Sequence, residues 1–443
     1  MNAPGGGRLA GWGGVAVPGT ERRGPLRRTA PGASLTRGLG RSYGDASLPP
    51  GDAPVAAGSV GNDAMLSFDE GSGLLRAEAG LTLDDLARVF LPRGWFTPVA
   101  PGTRYVTLGG MVASDIHGKN HHVAGTVGQH VESLRMLLPS GEEREVNRTS
   151  DPRLFAATLG GMGLTGHILE VALRLEAIQS PWIWREEHQV PDLDALLDGL
   201  QASTAWPQTV AWIDTLATGR NFGRGVLMRG RWARRDEAPL LPPQPIVGPS
   251  VPFDLPGFLL NNLTMRTFNE LYYRKQIVPM RAGVVNPYGW FWPLDAIQNW
   301  SRAYGRAGFT QHQAVFPRSA GRQAVRTFCE KLVAWGGTGF LAVVKDCGEE
   351  GEGMLSFPEP GTSLALDLPI RPGIQELIDR LNRLVLDFGG RIYLTKDAYT
   401  RRDDFERMEA RRLGAFRALR AEIDPQRRLR TRLGDRLIDP VGA

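Results

Sequence analysis

Residues 101–122, PGTRYVTLGGMVASDIHGKNHH, hold four glycines, three of the chain's seven histidines and one of its five lysines. Gly109, Gly110 and Gly118 permit close backbone approach or a positive φ. Asp115, His117, Lys119, Asn120, His121 and His122 crowd polar side chains against an apolar run. That density of glycine and imidazole fits a loop that holds a ligand; an exposed turn with solvated histidines is the plainer alternative. A metal centre fits less well. No second Cys/His cluster with ligand spacing completes one, and the adjacent His121 and His122 do not easily point at one ion. No metal is expected.

Two further glycine-rich stretches accompany this one. TRGLGRSYGD (36–45) sets Arg37, Arg41, Ser42 and Tyr43 among three glycines. Its N–H groups suit an anion-binding concavity for phosphate, or it is a simple connector. GGMGLTG (160–166) contains a literal G-x-G-x-x-G at Gly161, Gly163 and Gly166. The Rossmann fingerprint needs a strand before and a helix after; here a helix comes first and a strand follows, so that fold is excluded. There is no G-x-x-x-x-G-K-[ST] loop and no G-x-S-x-G elbow, which argues against P-loop phosphoryl transfer and serine hydrolysis. Three glycine turns around one elongated cofactor with a pyrophosphate suit a redox cofactor, which needs orientation and electrostatics more than a protein nucleophile.

The elements that must position these turns read as α+β. Residues 1–30, rich in Gly, Pro and Arg, are expected to be a mobile arm. Residues 63–79 read as two short strands around Glu70–Gly73. In 80–95, Thr82 caps a helix with Asp85 three residues on, and Leu83, Leu86, Ala87 and Phe90 make one apolar face that Pro92 ends. Residues 130–146 read as a hairpin turned at Pro139–Gly141, Asp151 caps a short helix, and Leu169, Val171, Leu173 and Leu175 alternate as in a strand.

Residues 181–390 change character and are rich in tryptophan. The Pro-rich 236–258 segment reads as a long loop. Residues 259–275 form either a lid or membrane-facing helix, or a buried helix. Residues 311–317, 339–347 and 363–370 read as strands of an antiparallel sheet. Residues 373–390 form a helix closed by Gly389-Gly390, 391–400 a strand carrying Tyr393 and Lys396, and the last segment one helix that Asp424-Pro425 ends.

Composition bounds the rest. With 443 residues, 42% hydrophobic and 22% charged, the chain suits two or three domains of an ordinary globular protein. No run of eighteen apolar residues exists, and the N-terminus lacks a signal-peptide core. Two cysteines suit a reducing compartment, so cytoplasm is expected. The net charge of +5 is nearly all dispersed arginine without any nucleic-acid-binding signature, so a nucleic-acid partner is rejected; a modest affinity for anionic ligands or an anionic membrane surface stays open.

RGLGRSYGD, PGTRYVTLGGMVASDIHGKNHH, GGMGLTG, YGWFWPLDAIQNWSRAYGRAGFTQHQ and GGRIYLTKD occur in one order over residues 15–435. Together they resemble the decaprenylphosphoryl-β-D-ribose 2-oxidase family, within the vanillyl-alcohol-oxidase-like flavoproteins. The resemblance implies an α+β chain: a two-part FAD-binding domain of the vanillyl-alcohol-oxidase (PCMH) type, with an inserted substrate domain built on an antiparallel sheet. The parts would be residues 1–180, the insertion 181–390, and 391–443 completing the FAD domain.

The implied reaction oxidises the C2 hydroxyl of a polyprenylphosphoryl ribose to the 2-keto sugar, with the hydride passing to flavin. A partner short-chain reductase would then deliver the arabinose epimer, a donor for cell-wall or surface glycan. Lys396, Tyr43 and His117 match positions at the reacting centre, with Lys396 orienting the hydroxyl or taking its proton. The FAD positions would be Arg37, Gly38, Gly40, Arg41, Ser42, Tyr43 and Gly44; then Pro101, Gly102, Thr103, Thr107, Gly109, Gly110, Ser114, Asp115, His117, Gly118, Asn120 and His121; then Gly163, Gly166 and Ile168. Lys119, Phe291, Gln311, Gln313, Lys345, Ser363, Ala365 and Lys396 would meet the substrate.

The chain departs from that pattern in places. Ala365 stands where well-known members carry a reactive cysteine, so covalent trapping there is not expected. Phe291 and Trp292 replace a Tyr-His pair, and Ser363 replaces an Asn. Related alditol and aldonolactone oxidases tether flavin to a histidine in the first glycine loop; the matching position is Arg41, so FAD is expected to be non-covalent. The rival readings are an oxidase of a free polyol or aldonolactone, and a flavin-free binding protein on the same scaffold. A lipid-linked substrate carries with it an expected peripheral contact with the inner face of a membrane.

Overall fold

The computed structural model describes residues 7–339 and 341–439. Three sheets organise it. A five-stranded antiparallel sheet runs in the order Glu143–Asn147, Val131–Leu137, His167–Arg174, Leu74–Glu78 and Met65–Asp69. Beside it, Thr20–Arg22, Val55–Gly58 and Leu35–Arg37 make a small parallel sheet. The third sheet has eight antiparallel strands, in the order Met280–Val285, Ile183–Val190, Gly225–Trp232, Gln208–Ile213, Ala342–Cys347, Gly361–Pro369, Phe309–Pro317 and Arg391–Ile392.

Local sequence explains the elements around the first glycine motif. Thr82 caps the Leu83–Phe90 helix by accepting from Asp85 N, and Leu83, Leu86, Ala87 and Phe90 are buried on one face. Each such side chain contributes roughly 1.5–3 kcal/mol on burial. The Val131–Leu137 and Glu143–Asn147 hairpin turns through Gly141 at φ 92°, a conformation that favours glycine. Asp151 caps the Pro152–Thr158 helix through Leu154 N.

The eight-stranded sheet shows the period-2 rule plainly. Ala314, Phe316, Val344, Leu364, Leu366 and Leu368 face one way and pack with the Leu193–Gln201, Gly321–Ala334 and Ile374–Asp387 helices. The intervening residues face the other way and line the candidate site.

Four expectations need correction. Residues 7–30 are not a mobile arm, because Arg8–Ala10 pairs with Ala16–Pro18 and Thr20–Arg22 pairs with Val55–Gly58; residues 1–6 lie outside the described residues. The strand expected over 391–400 stops at Ile392, because Asp397 Oδ1 accepts from Tyr399 N, Thr400 N and Thr400 Oγ1 and folds the chain into a turn. The single C-terminal helix is two, Arg402–Met408 and Leu413–Ile423; between them Glu409 takes Arg412 as a partner. Finally, the Asn262–Arg274 helix buries only Met265 and Asn269, so it is not a core helix.

The C-terminal helices return to the N-terminal half. Phe405, Phe416, Leu419, Leu433 and Leu437 pack with Ala157, Met162 and Leu164. Arg420 donates to Leu164 O at 2.7 Å, and Arg436 pairs with both Asp45 and Asp397 at 2.8 and 2.9 Å. The turn bearing Lys396 is thereby tied to the first glycine loop.

Candidate active site

Three neighbouring strands supply one wall. Cross-strand register sets Gln311 opposite Asp367, Gln313 opposite Ala365 and Lys345 opposite Ser363. Strand alternation therefore places Gln311, Gln313, Lys345, Ser363, Ala365 and Asp367 on one face. Gln311 Nε2 donates to Asp367 Oδ1 at 2.5 Å, and Tyr304 OH donates to Asp367 Oδ2 at 3.1 Å.

The turn after Ile392 lowers Lys396 onto this wall. Tyr43 N donates to Thr395 O at 2.9 Å, which binds the turn to the first glycine stretch. Lys396 Nζ then lies 3.9 Å from the centroid of the Tyr43 ring, and that ring meets Phe309 edge-on at 5.4 Å. Gly44 is required by the chain's own packing, since a Cβ there would sit 1.7 Å from Asp397 O.

The second glycine stretch supplies the imidazoles. Gln313 Nε2 lies 2.9 Å from His117 Nε2 and 3.3 Å from Ser363 Oγ. With the amide as donor, His117 Nε2 accepts and its proton sits on Nδ1, which is buried and has no partner. His121 Nδ1 accepts from Gly348 N at 3.1 Å, leaving Nε2 buried without a partner. Lys119 Nζ donates to Phe291 O at 3.1 Å and lies 5.5 Å from the Trp290 ring centroid.

Three of the chain's five lysines therefore meet in one place. Burial lowers Lys345, and it lowers Lys119 to about 7, with the Lys345 charge adding to the effect. Lys396 is lowered by burial and by Lys345, against the opposing pull of Asp367. His117 is held well below its ordinary value, first by burial and then by Lys345, and His121 is lowered to about 4 for the same reasons. Burial raises the Tyr43 phenol and the Asp367 carboxyl. At neutral pH the imidazoles are uncharged donors and acceptors, and Lys396 is poised to exchange a proton.

Other residues expected at the site are engaged within the protein. Arg37 is held by Glu21, Ser47 and Ala10 O. Thr103 donates to Asp295 at 2.9 Å, Thr107 caps the Leu108–Ala113 helix, and Ser114 O accepts from Tyr393 OH. Asp115 accepts from Gly128 N at 2.9 Å and from Ser356 Oγ, so its carboxylate shapes the motif from within. Asn120 Nδ2 donates to Pro98 O at 2.6 Å. The Phe291 ring packs against Phe96, Trp232 and Trp292 and offers the site only its carbonyl. Gly166 faces Met136, and Ile168 is a buried strand residue. Pro101 is half-buried, and Gly102 and Gly163 have open space where a Cβ would stand.

The donor set left over fits an elongated anionic cofactor. The N–H groups of Gly40, Arg41 and Ser42 donate to no protein acceptor among the described residues, and successive free N–H groups make an anion-binding nest. Gly38 comes close enough to Thr107 that a Cβ would sit 2.5 Å from its Oγ1. Arg41 stacks over Trp12 at 4.1 Å and its Nε has no partner. His117 Nδ1 adds a buried donor next to the lysines.

Asp367 and Tyr304 were not foreseen. The sequence does carry a signal for Asp367, an acid in the otherwise apolar strand SLALDLPI, which reads as a paired or functional carboxylate. Tyr304 carries no comparable signal.

Comparison with known proteins bears on this arrangement. Residues 32–147 match a family described as FAD binding domain. The chain is 36% identical over 405 residues to decaprenylphosphoryl-beta-D-ribose oxidase of Mycolicibacterium smegmatis, covering 88% of this chain and 86% of that protein. It is 33% identical over 361 residues to an uncharacterised protein in the mprA 5' region of Streptomyces coelicolor, covering 78% and 96%. D-lactate dehydrogenase of Anaerostipes hadrus is 28% identical over 116 residues, about a quarter of each chain. Fold, free anion-binding N–H groups and these likenesses define an FAD-dependent oxidoreductase acting on a CH–OH group. Within that class, the chain belongs to the decaprenylphosphoryl-β-D-ribose oxidase family.

Proposed function

We propose that the protein oxidises the C2 hydroxyl of a polyprenylphosphoryl-β-D-ribose to the 2-keto sugar. The observation that carries this reading is the gathering of Lys119 and Lys396 around Lys345, on a wall that also bears Gln311 and Gln313. Three buried amines with one nearby carboxylate form a basic lining that suits an anionic ligand, and paired amides suit sugar hydroxyls. The phosphoryl ribose for which the Mycolicibacterium smegmatis relative is named has both features.

Bound FAD supplies the acceptor for the hydride that leaves C2. The chain's own residues handle the proton and the geometry. Neutral Lys396 accepts the hydroxyl proton as the C2 carbonyl forms, and the Tyr43 face steadies the resulting ammonium. Asp367 holds Gln311 in place and offsets the charge that Lys396 gains. Gln313 fixes His117 with its proton on Nδ1, a buried donor that would be available to an acceptor of the bound cofactor. The nest at Gly40–Ser42 and the cation of Arg41 would hold the cofactor's pyrophosphate without a covalent tether.

In this reading residues 181–390 form the substrate domain inserted into a two-part FAD-binding domain. Seven of the eight strands of the large sheet lie within this range, in support of it, and the short Arg391–Ile392 strand from the C-terminal segment adds to the sheet's edge. A 2-keto sugar phospholipid calls for a reductase as the next enzyme, giving the arabinose epimer. Among the described residues no helix is long and apolar enough to cross a membrane, and the proposed place of action is the cytoplasmic face of one.

The test is anaerobic titration of the yellow protein with farnesylphosphoryl-β-D-ribose. Bleaching of the flavin band with release of the 2-keto product supports the proposal. Bleaching only by a free polyol or aldonolactone would move the substrate to the rival class.

A further inference from the structure

Of eighteen large apolar side chains exposed among the described residues, fifteen lie between Leu240 and Ile297. A monomeric soluble protein rarely gathers its exposed apolar side chains this way without a surface to cover them. The Asn262–Arg274 helix is the longest element within this stretch. Asn269 Nδ2 donates to Asp214 Oδ1 at 2.7 Å and Tyr272 packs on Trp212 at 4.7 Å. The opposite side presents Leu263 and Leu271, which are 75% and 66% exposed. Phe258 before the helix and Ile277 after it extend the apolar surface. A complete capping box at Asn261 and Thr264 starts the helix, so the helix is built locally and does not wait on a partner.

Charge selects the occupant. Arg266, Lys275 and Arg281 are exposed beside this surface, and none has an ion-pair partner among the described residues. The helix's one acid, Glu270, is already shared by Arg224 and Arg274. Apolar side chains mixed with unpaired cations characterise helices that lie in the headgroup region of anionic bilayers. A self-association through this face would instead bring the same three cations of two copies together.

Position links the surface to the site. A cavity of about 520 Å³ opens beside the same segment, walled by Leu255–Gly257, Leu260, Tyr304 and Ile370, with Asp254, Arg306 and Arg371 also on its lining. Tyr304 OH reaches Asp367, the acid that acts on Lys396.

We propose that the outer face of the Asn262–Arg274 helix, with Phe258 and Ile277, docks the protein on an anionic lipid bilayer and delivers the lipid tail of its substrate along the Leu255–Leu260 cavity. The delivery half of this proposal rests on the lipid-linked substrate proposed above; the docking half does not.

Flotation of the FAD-loaded full-length protein with phosphatidylglycerol–phosphatidylcholine vesicles, against pure phosphatidylcholine, tests it. Wild type should float with the anionic vesicles and less so at high salt. The Leu263→Asp/Leu271→Asp variant should lose at least about tenfold in partitioning, while retaining bound flavin and turnover of a short-chain phosphoribose substrate. Arg266→Glu/Lys275→Glu should lose the preference for anionic lipid. Wild type that ignores both vesicle types, or a Leu263→Asp/Leu271→Asp variant that floats as well as wild type, would overturn the docking face. A concentration-dependent dimer abolished by the same variant would overturn it in favour of a second copy. Wild type that floats but leaves phosphoribose lipids unoxidised would keep the docking face and remove the substrate reading.

Discussion

Lys396 Nζ sits 3.9 Å from the centroid of the Tyr43 ring, although the two residues are separated by most of the chain. The contact unites the first glycine stretch with the C-terminal turn, and it places a buried amine over an aromatic face. Lys396→Ala should therefore lower the rate of anaerobic flavin reduction by about 10²–10⁴-fold, the span of a lost general base. Bound FAD should be retained, as read from the visible spectrum of the purified variant.

The pH profile tests who tunes that amine. Burial and Lys345 lower Lys396, and Asp367 raises it. A neutral amine is the active form, so the reduction rate should rise with pH and level off below the ordinary lysine value of about 10.4. Lys345→Met removes a lowering charge and should move that limb to higher pH. Asp367→Asn removes a raising charge and should move it to lower pH. Limbs that stay put in both variants would assign the ionisation to another group.

Asp115 is a structural test. It is fully buried at φ 38°, and burial pushes its carboxyl up to about 6 from 3.8. A carboxyl raised in the folded state contributes most below its unfolded value, and that contribution is lost as pH rises through about 6. Asp115→Asn accepts the positive φ, keeps the bond from Gly128 N and donates its amide to Ser356 Oγ in reverse of the native bond, so thermal stability should decline less between pH 4 and 6 than in wild type. Asp115→Ala leaves Gly128 N–H buried and unpaired, and should cost about 2–4 kcal/mol by denaturant unfolding.

Gly44→Ala places a methyl 1.7 Å from Asp397 O, a backbone atom that cannot step aside. The Lys396 turn must move, so the variant should lose stability and activity together. Differential scanning calorimetry and reduction kinetics on the same preparation would show this.

Arg41 occupies the first glycine loop with its guanidinium over Trp12. A guanidinium stays protonated and offers no nucleophile to flavin. Acid precipitation should release all the flavin into the supernatant, and yellow colour in the pellet would contradict the non-covalent reading.

The sequence made the site's parts legible more readily than their contacts. Strand alternation in QHQAVFP and SLALDLPI is enough to place Gln311, Gln313, Ser363 and Ala365 on one face. The caps at Thr82 and Asp151 follow from local chemistry. Lys396 was harder, because RIYLTKDAYT alternates as a strand does while Asp397, bonded to Thr400 and to Arg436 from the far C-terminus, bends it. The N-terminal segment reads as disordered by composition, yet Arg37 reaches Ala10 O and strand pairing holds Thr20–Arg22. Long-range partners of this kind leave no periodic trace in a sequence.

The most direct measurement is anaerobic reduction of the bound flavin by farnesylphosphoryl-β-D-ribose carrying deuterium at C2, in wild type and Lys396→Ala. The expected result is rapid bleaching by wild type, slowed by the C2 deuterium, and bleaching that is nearly lost in the variant. A flavin that stays oxidised with this substrate, or one reduced equally fast with deuterium in place and without Lys396, would contradict the account.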